Sequence, residues 1–382
     1  MPLEPEIKIL PYKHRQQFFW VLLILFLVAL PTMIFYTTGH RLNLGDKDNR
    51  IVTTGGIYIT TDNLEVDVYL DNDQVKRPRL FRSAYYIQNI EAGEHRVVVQ
   101  KDGLHTWVKE LPVDPYIVIE AAAFNMPTTP LIRPVTPYTN GFVPVIFSQD
   151  EVVEMFEEAT TSVPYILASS SATSSYFANP EYEFVSSLFS TTSTTSISVF
   201  DRFIAEVEKF GFATTSAVAG VEATTSLNVE KGNIRLVQHG SDIYAKWVGV
   251  ANSVPYYFCV NNLDVEIMST RYGQHVAEQV VAQRISTTTP LISDGERICR
   301  QEIKIDRKRQ DVFLFDFVPG SNDLVLLQLE DGLYVTEIDD RAWQNTQLLY
   351  PGKNHQVVVY NDTIYIKKGE QYFEILTEIE TN

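Results

Sequence analysis

Motifs of the common catalytic and cofactor classes are missing from this chain. The seven histidines, His14, His40, His95, His105, His239, His275 and His355, include no i/i+4 pair, no His-x-His and no His-Glu-x-x-His, so a zinc site has little support. There is no Gly-x-Ser-x-Gly elbow, no Ser-x-x-Lys with its partner motifs, no phosphate-cradling glycine loop and no dinucleotide fingerprint. No catalytic, cofactor-binding or metal-binding residue is therefore expected. Basic charge is also scarce: 31 Lys and Arg face 48 Asp and Glu, a net −17. Without a concentrated basic patch, the charge argues against a nucleic-acid partner, and none is expected. Cysteine is limited to Cys259 and Cys299, and long apolar runs to one.

That run is Phe18–Tyr36, FFWVLLILFLVALPTMIFY, 19 residues without a charge. At about 1.5 Å per residue it crosses most of a ~30 Å hydrocarbon core and predicts a transmembrane helix. Trp20 and Tyr36 stand near its ends, where aromatic rings favour the headgroup layer, and Pro31 lies in its last third. A cleaved signal peptide is the alternative, but the run is longer than a usual h-region and no small-x-small cleavage pattern follows. Lys13 and Arg15 lie close before the run, and only Arg41 is as close behind it, so residues 1–17 read as a cytoplasmic tail. The remainder, acidic after residue 136, is expected outside.

Residues 37–50, TTGHRLNLGDKDNR, read as a stalk. From Ile51 the pattern alternates. Val66, Val68 and Leu70 share one face, and the turn Asp71-Asn72-Asp73 follows. Ile87 and Ile90 lead into Ala92-Gly93; beyond them Val97 and Val99 point one way and Arg96, Val98 and Gln100 the other. Lys101-Asp102-Gly103 carries the Asp-Gly of a hairpin, and Trp107–Val113 closes the unit. The spacing of Val68-Tyr69-Leu70-Asp71, of Ile90-x-x-Gly93-x-His95-x-Val97-x-Val99 and of Lys101-Asp102-Gly103-x-x-x-Trp107 resembles the PEGA domain family over residues 53–115. It departs where Asn63-Leu64-Glu65-Val66 stands in place of Pro-Glu-Gly-Ala. The resemblance implies a small Ig-like, extracytoplasmic β-sandwich, residues 51–125, serving as a stalk module on a bacterial surface protein. It brings no catalytic residues.

Prolines concentrated in residues 126–138 mark 126–136 as a Pro-rich linker. Thr-Thr-Ser then recurs at 160–162, 191–193, 194–196, 214–216 and 224–226 as solvated loops or tethers. Between them Phe200, Phe203, Ile204 and Val207 predict an amphipathic helix over 198–210, docked on a neighbouring sheet or lying on a membrane surface. From Gly232 short strands recur at Ile234–Gln238, Ile243–Val248, Pro255–Val260, Phe313–Val318, Leu324–Leu329, Leu333–Ile338, Gln356–Tyr360, Ile364–Lys367 and Tyr372–Leu376. Phe315–Arg341 resembles one blade of a bacterial β-propeller. Residues 137–382 are thus expected to form an irregular β-propeller-like domain with Ser/Thr-rich insertions, or a second sandwich. The fold class expected overall is mainly β.

Few residues invite a chemical role. Asp339-Asp340 and Glu157-Glu158 read as turn or surface acids rather than an acid/base pair. Asp71-Asn72-Asp73 reads as a hairpin turn rather than a calcium loop. Trp107 reads as core more than as a sugar platform, which leaves Tyr85 and Tyr86 as candidate ligand-contact aromatics. Cys259 and Cys299, each beside a strand and both on the side assigned to the exterior, are expected to form a disulfide; two buried thiols are the alternative. The expected function is a membrane-anchored, extracytoplasmic cell-surface protein with a non-catalytic binding or structural role. Its partners would be the lipid bilayer and an envelope polymer or surface protein. The alternative is an ectoenzyme, a hydrolase with its site on the propeller channel.

Overall fold

A computed structural model describes residues 11–42, 51–76, 83–147, 160–161, 163–169, 176–190, 228–293, 295–353 and 355–377. The chain is mainly β, its sheets are open rather than closed into a barrel, and one N-terminal helix is long and apolar enough to cross a membrane. Two compact units are drawn from it. The first comprises Met1–Thr60, Pro78–His95 and Pro112–Ala122, the second Thr61–Arg77, Arg96–Leu111 and Ala123–Asn382.

In the first unit, helix α1 (Tyr12–Thr37) extends the predicted span upstream. Apolar residues surround it on all sides and none is buried, as suits a helix solvated by lipid rather than by protein. Pro31 sits inside it. The helix ends where the Thr38 amide donates to the Ile34 carbonyl (2.9 Å) and Gly39 turns to φ +79°. A side chain at Gly39 would begin 3.0 Å from the Tyr116 ring. Strand β1 (His40–Leu42) follows at once and pairs with β2 (Ile51–Thr61). The expected stalk is therefore partly sheet, and its residues 43–50 lie outside the described ones. Strand β5 (Ala84–Glu91) pairs along β2, as does β8 (Val118–Ala123). A register shift at Gly55/Gly56 brings the chain so near Asp114 that a Cβ on Gly55 would lie 2.2 Å from its carbonyl oxygen.

In the second unit, β3 (Asp67–Leu70), β4 (Asp73–Gln74), β6 (Gly93–Gln100) and β7 (Trp107–Val113) form a sheet in the order β4-β3-β6-β7. Asp71 and Asn72, at φ +50° and +75°, make the tight turn that suits a right-twisted hairpin. Val66, Val68, Val97 and Val99 are fully buried and Arg96 is exposed, the alternation read from the sequence. Lys101-Asp102-Gly103 does not close a tight hairpin, because β7 starts only at Trp107.

The predicted linker is instead packed chain. Met126 is buried, and β9 (Leu131–Val135) pairs with β28 (Gln371–Leu376), continuing to β27 (Thr363–Lys368) and β26 (Gln356–Tyr360). On its other side β12 (Thr160–Thr161) pairs with Leu131 and Ile132, so among the described residues Pro134 has no strand partner there, where a residue without an N–H is tolerated. Strands β10 (Tyr138–Asn140), β11 (Val143–Phe147), β13 (Ile166–Ala168) and β14 (Phe177–Ala178) form a small mixed sheet. Helix α2 (Pro180–Ser190) lays Val185, Leu188 and Phe189 on Val135, Tyr365 and Tyr372.

Two meanders follow. The first has β15 (Val229–Lys231), β16 (Ile234–His239), β17 (Asp242–Trp247) and β21 (Glu302–Ile305). The second has β22 (Leu314–Phe317), β23 (Leu324–Gln328), β24 (Gly332–Glu337) and β25 (Thr346–Pro351). They share one core, with Leu236, Ile243 and Ile303 of the first against Phe317, Val325 and Leu327 of the second. Between β17 and β21 the chain makes an excursion the sequence pattern did not predict. Tyr256–Phe258 is a 3-10 turn rather than a strand, so strand β18 (Cys259–Asn261) begins only after it. Helices α3 (Val265–Tyr272) and α4 (Gln274–Ile285) then pack on β18, β19 (Ile292–Ser293) and β20 (Arg297–Cys299) through Met268, Tyr272, Val276 and Val280. The helix expected at 198–210 and the Thr-Thr-Ser tracts beyond residue 190 lie outside the described residues.

Candidate functional site

Two places among the described residues stand as candidate sites: a buried charge network in the second unit and an open recess in the first. The network begins with Lys109 of β7, which has no exposed side-chain surface. Its ammonium donates to Glu337 Oε1 (2.8 Å) and to the Asp339 carbonyl (2.7 Å), and lies 3.4 Å from Asp339 Oδ2. Trp107 Nε1 donates to Glu337 Oε2 at 3.1 Å, and Asn345 supplies two further donors to Oε1. Arg341 clamps Asp339 through Nε and Nη2 and stacks 4.9 Å over the Tyr256 ring. Asp340 turns to a different cation, taking both nitrogens of the Arg300 fork at 2.6 and 2.7 Å.

Each acid of the Asp339-Asp340 pair is thus buried and bound to its own cation. They are not the surface acids expected, because neighbouring Arg341, Lys109 of β7 and Arg300 just after β20 neutralise them. Burial raises the Glu337 carboxyl above its ordinary pKa, against the pull of Lys109. Burial pushes Asp339 upward too, but Arg341 and Lys109 outweigh it and hold that carboxyl well below the usual range. The three acids and three cations balance. Among the described residues each of these charges is buried and paired, an arrangement that ties β7 to the chain around Glu337–Arg341.

The recess, of about 500 Å³, opens where α1 meets the sheet. Tyr36–Arg41, Thr54–Gly56, Tyr86, Gln88, Asn89 and Tyr116–Val118 contribute its lining. Arg41 Nη1 donates to the Tyr36 carbonyl (2.7 Å) and the His40 carbonyl (3.0 Å), Nη2 donates to Asn89 Oδ1, and the guanidinium lies 5.0 Å from the centre of the Tyr36 ring. The His40 ring sits between Phe35 and Tyr116, with Thr38 Oγ1 at 3.1 Å from Nδ1 and the Tyr116 hydroxyl at 3.3 Å from Nε2.

The two candidate aromatics part company here. Tyr85, opposite Ile59, is 1% exposed and belongs to the core, whereas Tyr86, opposite Tyr58, is 53% exposed and lines the recess. Adjacent strand residues face opposite ways, so the doublet had to divide. Trp107 is fully buried. Cys259 and Cys299 stand opposite each other in β18 and β20 and are joined by a disulfide. Asp71 accepts the Arg96 amide at 2.9 Å within its turn. Among the described residues no group of three or more His, Cys, Asp or Glu side chains is placed to hold a metal. Residues 157–158 lie outside the described ones. Arg41 is read from the sequence only as a base flanking the apolar run, and Tyr116 is not singled out; its one signal is an aromatic after Pro115.

No protein-family model matches the chain, and no curated protein matches it. Among solved structures, a Bacteroides fragilis chain described as a membrane-associated protein of unknown function aligns over 85% of this chain and 94% of its own, at 11% identity and a TM-score of 0.17. A likeness that loose carries no argument, and the site is read from its own residues.

Proposed function

We propose that this protein is a single-pass, membrane-anchored cell-surface protein whose extracytoplasmic β-rich part has a non-catalytic binding or structural role in a bacterial envelope. The carrying observation is α1: 26 residues, of which an 18-residue stretch has a mean hydropathy of 2.7, with none of its side chains buried. At 1.5 Å per residue it is about 39 Å long, enough for a ~30 Å hydrocarbon core. The N-terminus is assigned to the cytoplasm because Lys13 and Arg15 precede the apolar run closely. The Cys259–Cys299 disulfide agrees with an oxidising exterior. Within this reading residues 53–115 act as a PEGA-like spacer. The meanders act as blades of a propeller-like domain, a role favoured by the capture of β9 by the C-terminal strands.

Protease added to intact cells tests the orientation. Digestion of the chain beyond residue 37, with only a short membrane-protected fragment remaining, is the expected outcome; full protection until the membrane is permeabilised would refute it.

A further inference from the structure

We propose that the recess at the foot of α1 seats the phosphodiester headgroup of a membrane lipid. The inference rests on the reading of α1 as a membrane anchor. A helix long enough to cross the hydrocarbon core puts its last turn at the headgroup layer, and that turn, with Gly39–Arg41 after it, forms one wall of the recess. Arg41 supplies the charge. Its partners among the described residues are two carbonyls and an amide oxygen, all neutral. The helix C-terminus offers at most about half a negative charge to offset it. A phosphodiester carries one full negative charge and accepts the fork of a guanidinium.

The rest of the lining suits the remainder of a lipid head. Tyr36, Tyr86 and Tyr116 each present an exposed ring that carries a hydroxyl, the amphipathic chemistry found at membrane interfaces. Ile117 and Val118 beside them are exposed and apolar, a rim for glycerol and the first acyl carbons. Gly56 lies close beneath the lining, since a Cβ there would stand 3.0 Å from the Ile87 carbonyl oxygen and 3.4 Å from the Tyr86 ring. A free phosphate would use Arg41 but leave that rim wet, so the occupant is a lipid of the leaflet in which α1 ends.

The test uses the full chain. Flotation with phosphatidylcholine/phosphatidylglycerol vesicles first establishes insertion. Native mass spectrometry of the detergent-released protein then measures retention of phosphatidylglycerol against diacylglycerol, which lacks the phosphate. One phosphatidylglycerol is expected to be held at least about tenfold more tightly than diacylglycerol; Arg41→Gln should lose about tenfold and Arg41→Lys much less. Tyr86→Ala, which removes an exposed ring, should weaken retention severalfold and carries the test should Arg41→Gln fail to fold. Equal retention of both lipids, or no change in the variants, overturns the proposal. A chain that does not float overturns the anchor reading itself, whereas one that floats without headgroup preference overturns this inference alone.

Discussion

Lys109 has no exposed side-chain surface, yet its ammonium is surrounded by Glu337 and Asp339, so its contribution is conditional on them. Lys109→Met should cost about 3–5 kcal/mol in chemical unfolding, because it strands buried carboxylates rather than because the pair itself is strongly stabilising. The double variant Lys109→Met/Glu337→Gln should cost clearly less than the sum of the two single changes, and strict additivity would refute the coupling. Asp316 offers a pH counterpart. Burial raises its carboxyl to about 6, while the Phe317 amide and Lys231 pull the other way. The folded chain therefore holds this proton more tightly than the unfolded chain does. Its contribution favours the fold below the ordinary pKa near 3.8 and is lost as pH rises toward 6. Stability measured from pH 4 to 6 should fall by up to about 2 kcal/mol more in the parent than in Asp316→Asn. Parallel curves would contradict the assignment.

The disulfide pins the base of the excursion that carries α3 and α4, bridging residues 40 apart. Replacing both cysteines by serine should cost about 4 kcal/mol in the chain-entropy account. Amide exchange should accelerate chiefly between residues 260 and 298, and a uniform acceleration across the neighbouring meanders would show that the excursion is not a separate opening unit. Elements differ in how openly the sequence announces them. Val97 and Val99 were legible because a half-buried strand imposes a period of two, and Asp71-Asn72 because both residues tolerate positive φ. The α3–α4 pair was hidden: its buried residues Met268, Tyr272, Val276 and Val280 recur every four positions, but Gly273 interrupts the run and most positions between are polar. Strand β9 was hidden by Pro134 and the prolines flanking it, which matter little where the neighbouring strand stops short. The charge network was invisible because Asp339-Asp340 looks like a solvated turn until Lys109 and Arg300 arrive from elsewhere in the chain. The recess was half legible, since alternation alone says that one of Tyr85 and Tyr86 must face outward but not which one.

Across the whole molecule, the sheet containing β9 joins segments far apart in sequence: Arg133 of β9 reaches Glu374 of β28, 241 residues away. Removing residues 371–382 should therefore do more than shorten the chain. It should uncover Val135 of β9 and Tyr365 and Ile366 of β27, all buried and paired with β28, so the truncated protein should aggregate or be degraded. A truncation that kept the parent's thermal transition would refute the closure. This pairing also sets a clock on biogenesis. At about 5–20 residues per second, the ribosome needs roughly 10–50 s to make the stretch between the two partners. Throughout that interval β9 has emerged without its mate, exposed to proteases and to the matching strands of sister chains. This sheet can therefore be completed only once β28 has followed β9 out of the ribosome.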